Sequence, residues 1–153
     1  MNAAGVQVSA VKMLLKVKKL KEEAVLPSYA HKGDAGMDLF SCEDVVLYPG
    51  EKKTVGTGLA ISFPEGYVAL IWDKSGEAVE GITTLGGVIE HTYRGEYKVI
   101  MLNTGKNPYK IKKAQKIAQL LIQPIMTADV EEVSELGESK RGEGAFGSTG
   151  LYA

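Results

Sequence analysis

The sequence predicts an all-β domain of the sandwich, barrel or jelly-roll type. Glycine is abundant, at 18 of 153 residues, and recurs along the chain as a turn signal. Short apolar or alternating runs lie between these turns, and only residues 12–23 are a serious helix candidate. A chain of 153 residues fits one domain with a sizeable core.

The predicted strands follow one another in a regular order. The run "LLKVKKLK" inside the helix candidate alternates partly at period two, so we interpret it as a strand. Residues 86–99, "GGVIEHTYRGEYKV", predict a β-hairpin, and the sequence also allows a short helix near Leu85. The six strand runs are, in chain order, "MLLKVKKL", "VVLYPG", "GLAISF", "YVALIW", "YKVIML" and "KIAQLLIQPI".

The two ends of the chain differ in composition from the expected core, which spans residues 13–126. Residues 1–12 have no basic region before an apolar segment, so we treat them as an N-terminal extension, natural or left from cloning. Residues 127–153 are acidic, then rich in glycine and serine, and cannot bury much apolar surface. They predict a mobile arm that carries the glycine-rich stretch "RGEGAFGSTG".

The bulk composition excludes several classes of function. The net charge is −1, which argues against nucleic acid or an anionic membrane as a partner, and no run approaches the ~20 apolar residues that span a bilayer. One cysteine, Cys42, cannot form an internal disulfide. A reducing compartment, the cytoplasm, is therefore expected.

Several polar residues interrupt the strands and turns in ways that suit phosphate chemistry. Asp38 begins a strand and is either a turn aspartate or a carboxylate that orients water or hydrated Mg²⁺. Lys74, Ser75 and Gly76 follow a strand and form either a plain turn or a nest of donors for phosphate. Gln119 lies in a run that looks buried, where an amide needs either backbone partners or a ligand.

The order of the motifs is more specific than any one of them. "AGMDL", "DKSG", "GGVIEHTYRGE", "KIAQL" and "RGEGAFGSTG" together closely resemble the five-motif series of trimeric deoxyuridine triphosphate nucleotidohydrolases, the dUTPases. The resemblance implies a distorted β jelly roll or β-barrel, assembled as a homotrimer with active sites between subunits. It also implies Mg²⁺-assisted hydrolysis of dUTP to dUMP and pyrophosphate, with the arm acting as a lid.

The resemblance also implies a role for each site residue. Glu90 would act with Asp38 on the attacking water, and Asp38 would hold the metal through water. Tyr93 would lie against deoxyribose and exclude a 2′-hydroxyl. Arg141 would reach the γ-phosphate and Phe146 would stack on uracil. The remaining contacts to substrate would come from Gly87, Val88 and Ile89 at the deoxyuridine, and from Lys74, Ser75, Gly76, Gln119, Gly147, Ser148 and Thr149 at the phosphates.

Four positions differ from the usual family pattern. Glu90 stands where the family has a catalytic aspartate, and its extra methylene moves the carboxylate by roughly 1 Å, a misplacement that can cost about 10²-fold in rate. Glu77 puts a negative charge beside the expected phosphate site, and Ala114 and Ala145 replace glycines.

These differences leave three hypotheses. The first is an active dUTPase, slowed by Glu90. The second is a catalytically impaired or redesigned trimer of the same fold that binds nucleotide or serves as a component of a larger assembly. The third is a dCTP deaminase, which has a similar fold but lacks this motif series.

Overall fold

The structure is a computed structural model that describes residues 13–144. Eleven strands and one short helix make up this part of the chain, so the all-β class is confirmed. The elements are β1 (Lys16–Lys19), β2 (Met37–Phe40), β3 (Val45–Leu47), β4 (Lys52–Gly56), β5 (Leu59–Ser62), β6 (Tyr67–Trp72), α1 (Ser75–Val79), β7 (Ile82–Leu85), β8 (Val88–Glu90), β9 (Lys98–Asn103), β10 (Tyr109–Ile111) and β11 (Lys116–Pro124).

All strand pairs are antiparallel and fall into four small sheets. The largest has the order β2-β11-β6-β8, and a second has the order β4-β9-β7. β1 pairs with β5, and β3 pairs with β10. Their inward faces share one apolar core, in which the largest fully buried side chain is Tyr97. Because pairing joins strands distant in sequence, such as β2 and β11, the sheet order brings remote motifs together.

Two local predictions were wrong. The segment near Leu85 is strand β7, and the helix lies earlier, at α1. The expected hairpin at residues 86–99 is not formed, because β8 pairs with β6 whereas β9 pairs with β4 and β7. Residues 91–97 cross between the two sheets, and Tyr97 donates its N–H to Leu59 O at 2.7 Å. Because the chain crosses to another sheet here, the strands before and after the crossing do not pair, and the predicted hairpin does not form.

The strands end before the acidic segment begins. Ile125 donates its N–H to Gly66 O at 3.0 Å, directly after β11. Residues 126–144 are exposed and form neither helix nor strand. Within residues 13–144, no helix has the length and apolar character needed to cross a membrane.

Candidate active site

Asp38 is the centre of a charged cluster at one end of the largest sheet. Among residues 13–144 it is the only fully buried acidic side chain, 3% exposed. Its Oδ1 lies 3.0 Å from Lys74 Nζ, and its Oδ2 lies 2.7 Å from Lys116 Nζ in an ion pair without hydrogen-bond alignment. Burial favours the neutral acid, but the two ammonium groups outweigh it and hold the pKa of Asp38 below its ordinary value. The carboxylate is therefore ionised at neutral pH.

Strand pairing explains how this cluster forms. Asp38 on β2 is opposite Gln119 on β11, and Gln119 is opposite Trp72 at the end of β6, two residues before Lys74. A side chain at Gly36 would press on Gln119, with its Cβ 3.2 Å from the Gln119 Cβ. The absence of a side chain at Gly36 thus lets the "AGMDL" segment lie against β11. The sheet thus brings Asp38, Lys74 and Gln119 together at one end.

The sequence prediction missed Lys116. A register shift between Lys116 and Ala118 marks a bulge in β11. Without a bulge, Lys116 and Gln119 would point to opposite faces, since side chains alternate along a strand. The bulge places Lys116 beside Asp38, on the same face as Gln119.

Ser75 and Gly76 form the exposed start of helix α1. Lys74 precedes the helix in an extended conformation, and no side chain caps it. A Cβ at Gly76 would meet nothing within 4 Å. The chain at this point borders open space next to the Asp38–Lys74 pair, which is room for a ligand group.

Asp73 is a second residue that the sequence prediction missed. One oxygen accepts hydrogen bonds from Thr84 N and Oγ1, at 2.6 and 2.7 Å, and the other accepts from Thr83 Oγ1 at 2.8 Å. Burial raises the pKa of Asp73, but the bonds from Thr84 and Thr83 outweigh it, so the net shift is downward. Asp73 fixes the end of β6 to β7 and thereby holds the base of the Lys74–Gly76 segment.

Glu90 and Tyr93 lie at a separate cavity of about 570 Å³. Thr54 from β4 and Lys98 and Ile100 from β9 line part of it. The rest of the lining comes from Val88, Ile89, Glu90, Thr92, Tyr93 and Glu96. The Tyr93 hydroxyl donates to Glu96 O at 3.1 Å, and the residue is 45% exposed. Glu90 is exposed, and its carbonyl accepts the Tyr93 N–H at 3.0 Å.

Two glycines shape the chain around this cavity. The Gly87 carbonyl accepts the Ile71 N–H at 2.8 Å, and a Cβ at Gly87 would overlap the Ile71 carbonyl oxygen. A Cβ at Gly95 would overlap the ring and hydroxyl of Tyr93. Gly87 thus allows β8 to join β6, and Gly95 allows the tyrosine to fold back over the turn. Val88 is largely exposed and Ile89 is partly buried.

The register separates the two halves of the predicted site within one subunit. Asp38 is aligned through Gln119 with Trp72, whereas Glu90 is aligned with Val68, four residues earlier on β6. Three strand spacings across the sheet and four residues along it amount to roughly 20 Å. One subunit therefore does not bring Glu90 to Asp38.

Most of the predicted site residues of the arm lie outside the described part of the chain. Arg141 is exposed, and its Nε donates to Gly144 O at 2.8 Å within a local turn. Phe146, Gly147, Ser148 and Thr149 lie beyond residue 144, as does Ala145, so the structure describes none of them.

Ala114 and Glu77 have distinctive environments. Ala114 has φ +63°, a left-handed conformation that favours glycine. Glu77 is partly buried on α1, and its carboxylate accepts a hydrogen bond from the Tyr109 hydroxyl.

Comparison with known proteins identifies the family. The dUTPase family model matches residues 22–150, most of the chain. The chain belongs to the dUTPase family. It is 50% identical over 140 residues to a deoxyuridine 5′-triphosphate nucleotidohydrolase of Clostridioides difficile, an alignment that covers 90% of this chain and 98% of the relative.

Solved dUTPase structures share the fold. The Staphylococcus bacteriophage 80alpha dUTPase with dUpNHpp superposes with a TM-score of 0.85 at 35% identity, covering 90% of this chain and 99% of that chain. A mutant dUTPase from phage phi11 of S. aureus, described for its coordination of a structural Mg(II) ion, gives a TM-score of 0.76 at 32% identity. It covers 82% of this chain and 99% of that chain. The jelly-roll dUTPase fold predicted from the motifs is thus confirmed.

Proposed function

We propose that this chain is a dUTP nucleotidohydrolase that cleaves dUTP to dUMP and pyrophosphate. Membership of the dUTPase family supports the reaction. The observation that carries the proposal is the ionised Asp38 carboxylate paired with Lys74, next to the open Ser75–Gly76 segment. An anionic group beside exposed phosphate donors suits a reaction in which water attacks a phosphorus atom.

The phosphate-binding half of the site is assigned to the Asp38 cluster. Lys74, Ser75 and Gly76 bind the α- and β-phosphates, and Gln119 contacts the phosphate region. A triphosphate offers the Lys74 ammonium a second anionic partner, which releases Asp38 Oδ1 to accept a hydrogen bond from water. The buried position of Asp38 keeps that oxygen fixed while the substrate binds.

The deoxyuridine half is assigned to the cavity at residues 88–93. The backbone of Gly87, Val88 and Ile89 holds the base, and the Tyr93 ring packs against deoxyribose and leaves no space for a 2′-hydroxyl. The exposed Glu90 carboxylate faces the substrate and accepts a proton from the attacking water. Hydrogen bonding of Tyr93 to Glu96 O restricts the ring to one position, which favours discrimination by shape.

A homotrimer with sites shared between subunits would bring the phosphate-binding half and the deoxyuridine half of the site together. Within one subunit they lie roughly 20 Å apart by strand register. The Asp38 cluster of one subunit would meet the Glu90 cavity of the next. The arm, residues 127–153, would close over the site, with Arg141 at the γ-phosphate, Phe146 on uracil, and Gly147, Ser148 and Thr149 on phosphate.

Magnesium is the expected cofactor, and the residues fit a hydrated ion carried by the substrate. Among residues 13–144, no three metal-ligating side chains converge, and both Asp38 oxygens face ammonium groups. Mg²⁺ commonly keeps several waters and binds through substrate phosphates with one or two carboxylates. Asp38 would hold the ion through water, and the ion would supply charge neutralisation on the phosphates.

A pyrophosphate-release assay tests the proposed reaction. The full chain is incubated with Mg²⁺ and either dUTP, dTTP or UTP in separate reactions. Asp38→Asn is the inactive control. We expect turnover of dUTP alone. Turnover no higher than that of the control would refute the proposal and favour the alternative of a catalytically impaired nucleotide-binding trimer or assembly component. Light scattering on the same sample would show a trimer or a larger assembly.

A further inference from the structure

Three side chains link helix α1 to the turn between β10 and β11. The Tyr109 hydroxyl donates to Glu77 Oε2, and Gln115 Nε2 donates to the same hydroxyl oxygen at 3.1 Å. Gln115 is in turn fixed by its own Oε1, which accepts the Lys112 N–H at 3.0 Å. All three side chains are partly buried. The chain of bonds therefore holds the Glu77 carboxylate at one defined place.

The Glu77 carboxylate lies next to the residues proposed to bind phosphate. Glu77 follows Gly76 directly and is three residues beyond Lys74. Burial raises the pKa of the Glu77 carboxyl, and attraction by the Lys74 ammonium works against this rise. Glu77 donates its backbone N–H to Lys74 O at 2.9 Å, so the two side chains leave the chain close together. The Lys74 ammonium nevertheless makes its 3.0 Å ion pair with Asp38 and not with Glu77.

The same hydrogen bonds are also connected to the Asp38 cluster. Gln115 precedes Lys116, whose ammonium pairs with Asp38, and Asp38 pairs with Lys74 at the start of α1. From Lys74 the helix leads back to Glu77. Tyr109 and Gln115 are therefore connected to Lys74 through Glu77.

We propose that Tyr109 and Gln115 are positioning residues that hold the Glu77 carboxylate away from the Lys74 ammonium, which keeps that ammonium available for substrate phosphates. This inference rests on the proposed binding of phosphates at Lys74, Ser75 and Gly76. A released carboxylate would pair with Lys74 and repel the triphosphate, so it would weaken substrate binding. Glu77 is thus tolerated next to a phosphate site because its carboxylate is bonded by the Tyr109 hydroxyl, which Gln115 holds in place.

The test removes one hydroxyl group. Tyr109→Phe keeps the ring but removes the donor to Glu77. We expect KM for dUTP to rise about fivefold while kcat changes less than about twofold, because the effect is on binding. Tyr48→Phe, on an exposed tyrosine elsewhere, is the matched control and should behave as the parent protein.

A rescue experiment separates positioning from simple loss of structure. The double variant Tyr109→Phe with Glu77→Gln has no carboxylate to release, so its KM should return to the parent value. An unchanged KM in Tyr109→Phe would overturn the inference. A raised KM that Glu77→Gln does not restore would also overturn it, because the defect would then lie in packing.

Two further variants keep the result decisive. If circular dichroism shows that Tyr109→Phe does not fold, Gln115→Leu is measured in the same way, alone and with Glu77→Gln, and the same outcomes apply.

Lys74→Met tests the underlying assignment of the phosphates to Lys74, Ser75 and Gly76. A raised KM in Lys74→Met with a normal KM in Tyr109→Phe would refute this inference and leave the phosphate assignment standing. A normal KM in Lys74→Met would refute the phosphate assignment and the inference together.

Discussion

Asp38 on β2 and Lys74 beyond β6 form an ion pair of 3.0 Å between residues that are 36 positions apart. The carboxylate is buried, whereas the lysine side chain retains 27% exposure. The pair therefore joins a fixed anion to a cation that solvent and ligand can reach. The contribution of this pair to the stability of the fold and its role in the reaction can both be measured.

The first prediction concerns pH and stability. The pKa of Asp38 in the folded chain lies below its ordinary value of 3.8. Its ion pairs therefore stabilise the fold above pH 3.8, and this contribution is lost as the pH falls through the lower folded value. Asp38→Asn should lower the free energy of unfolding by about 2 kcal/mol at neutral pH.

Urea titrations of both proteins between neutral pH and about pH 2 would measure this difference. The difference in the free energy of unfolding between parent and variant should narrow below pH 3.8, where the carboxyl group of the unfolded parent chain takes up a proton. A difference that stays constant over the whole range would contradict the assignment.

The second prediction concerns the length of residue 90. Glu90→Asp shortens the side chain by one methylene and should raise kcat, by up to about 10²-fold if the carboxylate is misplaced by roughly 1 Å. Steady-state kinetics with dUTP and Mg²⁺ would show this. Glu65→Asp, on an exposed turn, is the matched control and should leave kcat unchanged. A kcat for Glu90→Asp at or below the parent value would show that glutamate is not what limits the rate.

The third prediction is that a substitution at Gly76 weakens substrate binding without lowering the stability of the fold. A methyl group there meets no neighbour, and alanine suits a helix better than glycine by about 0.5–1 kcal/mol, so Gly76→Ala should fold at least as stably as the parent. KM for dUTP should nevertheless rise, because the methyl group enters the space assigned to phosphate. Thermal melts and kinetics would measure the two effects.

Ala78→Gly on the same helix provides the reverse control. It should lower stability by a similar amount and leave KM unchanged. If Gly76→Ala binds dUTP as well as the parent does, the phosphates do not approach this residue.

The fourth prediction concerns the turn before β11. Ala114 has φ +63°, so Ala114→Gly should relieve steric strain and stabilise the fold by about 1 kcal/mol. Chemical denaturation would measure the gain. Ala30→Gly, at an exposed alanine whose φ is not positive, should give no gain. Equal effects at both positions would mean that the left-handed conformation carries no cost.

Local patterns in the sequence predicted much of the fold, and long-range register accounts for what they missed. Short apolar runs between turn residues were enough to indicate strands such as β6 and β11. They could not show that β8 joins β6, because partner choice depends on contacts far away in the chain. Lys116 was missed for a related reason, since only the bulge in β11 turns it toward Asp38. Asp73 was missed because Thr83 and Thr84 are recognisable as its partners only once β7 is placed.

The register that separates Asp38 from Glu90 has a genetic consequence if sites are shared between subunits. A chain with a defective Asp38 and a chain with a defective Glu90 would each be inactive alone. In a mixed trimer, however, an intact Asp38 cluster from one chain can face an intact Glu90 cavity from another. Two null alleles expressed in one cell would then restore part of the activity, whereas two copies of either allele would not.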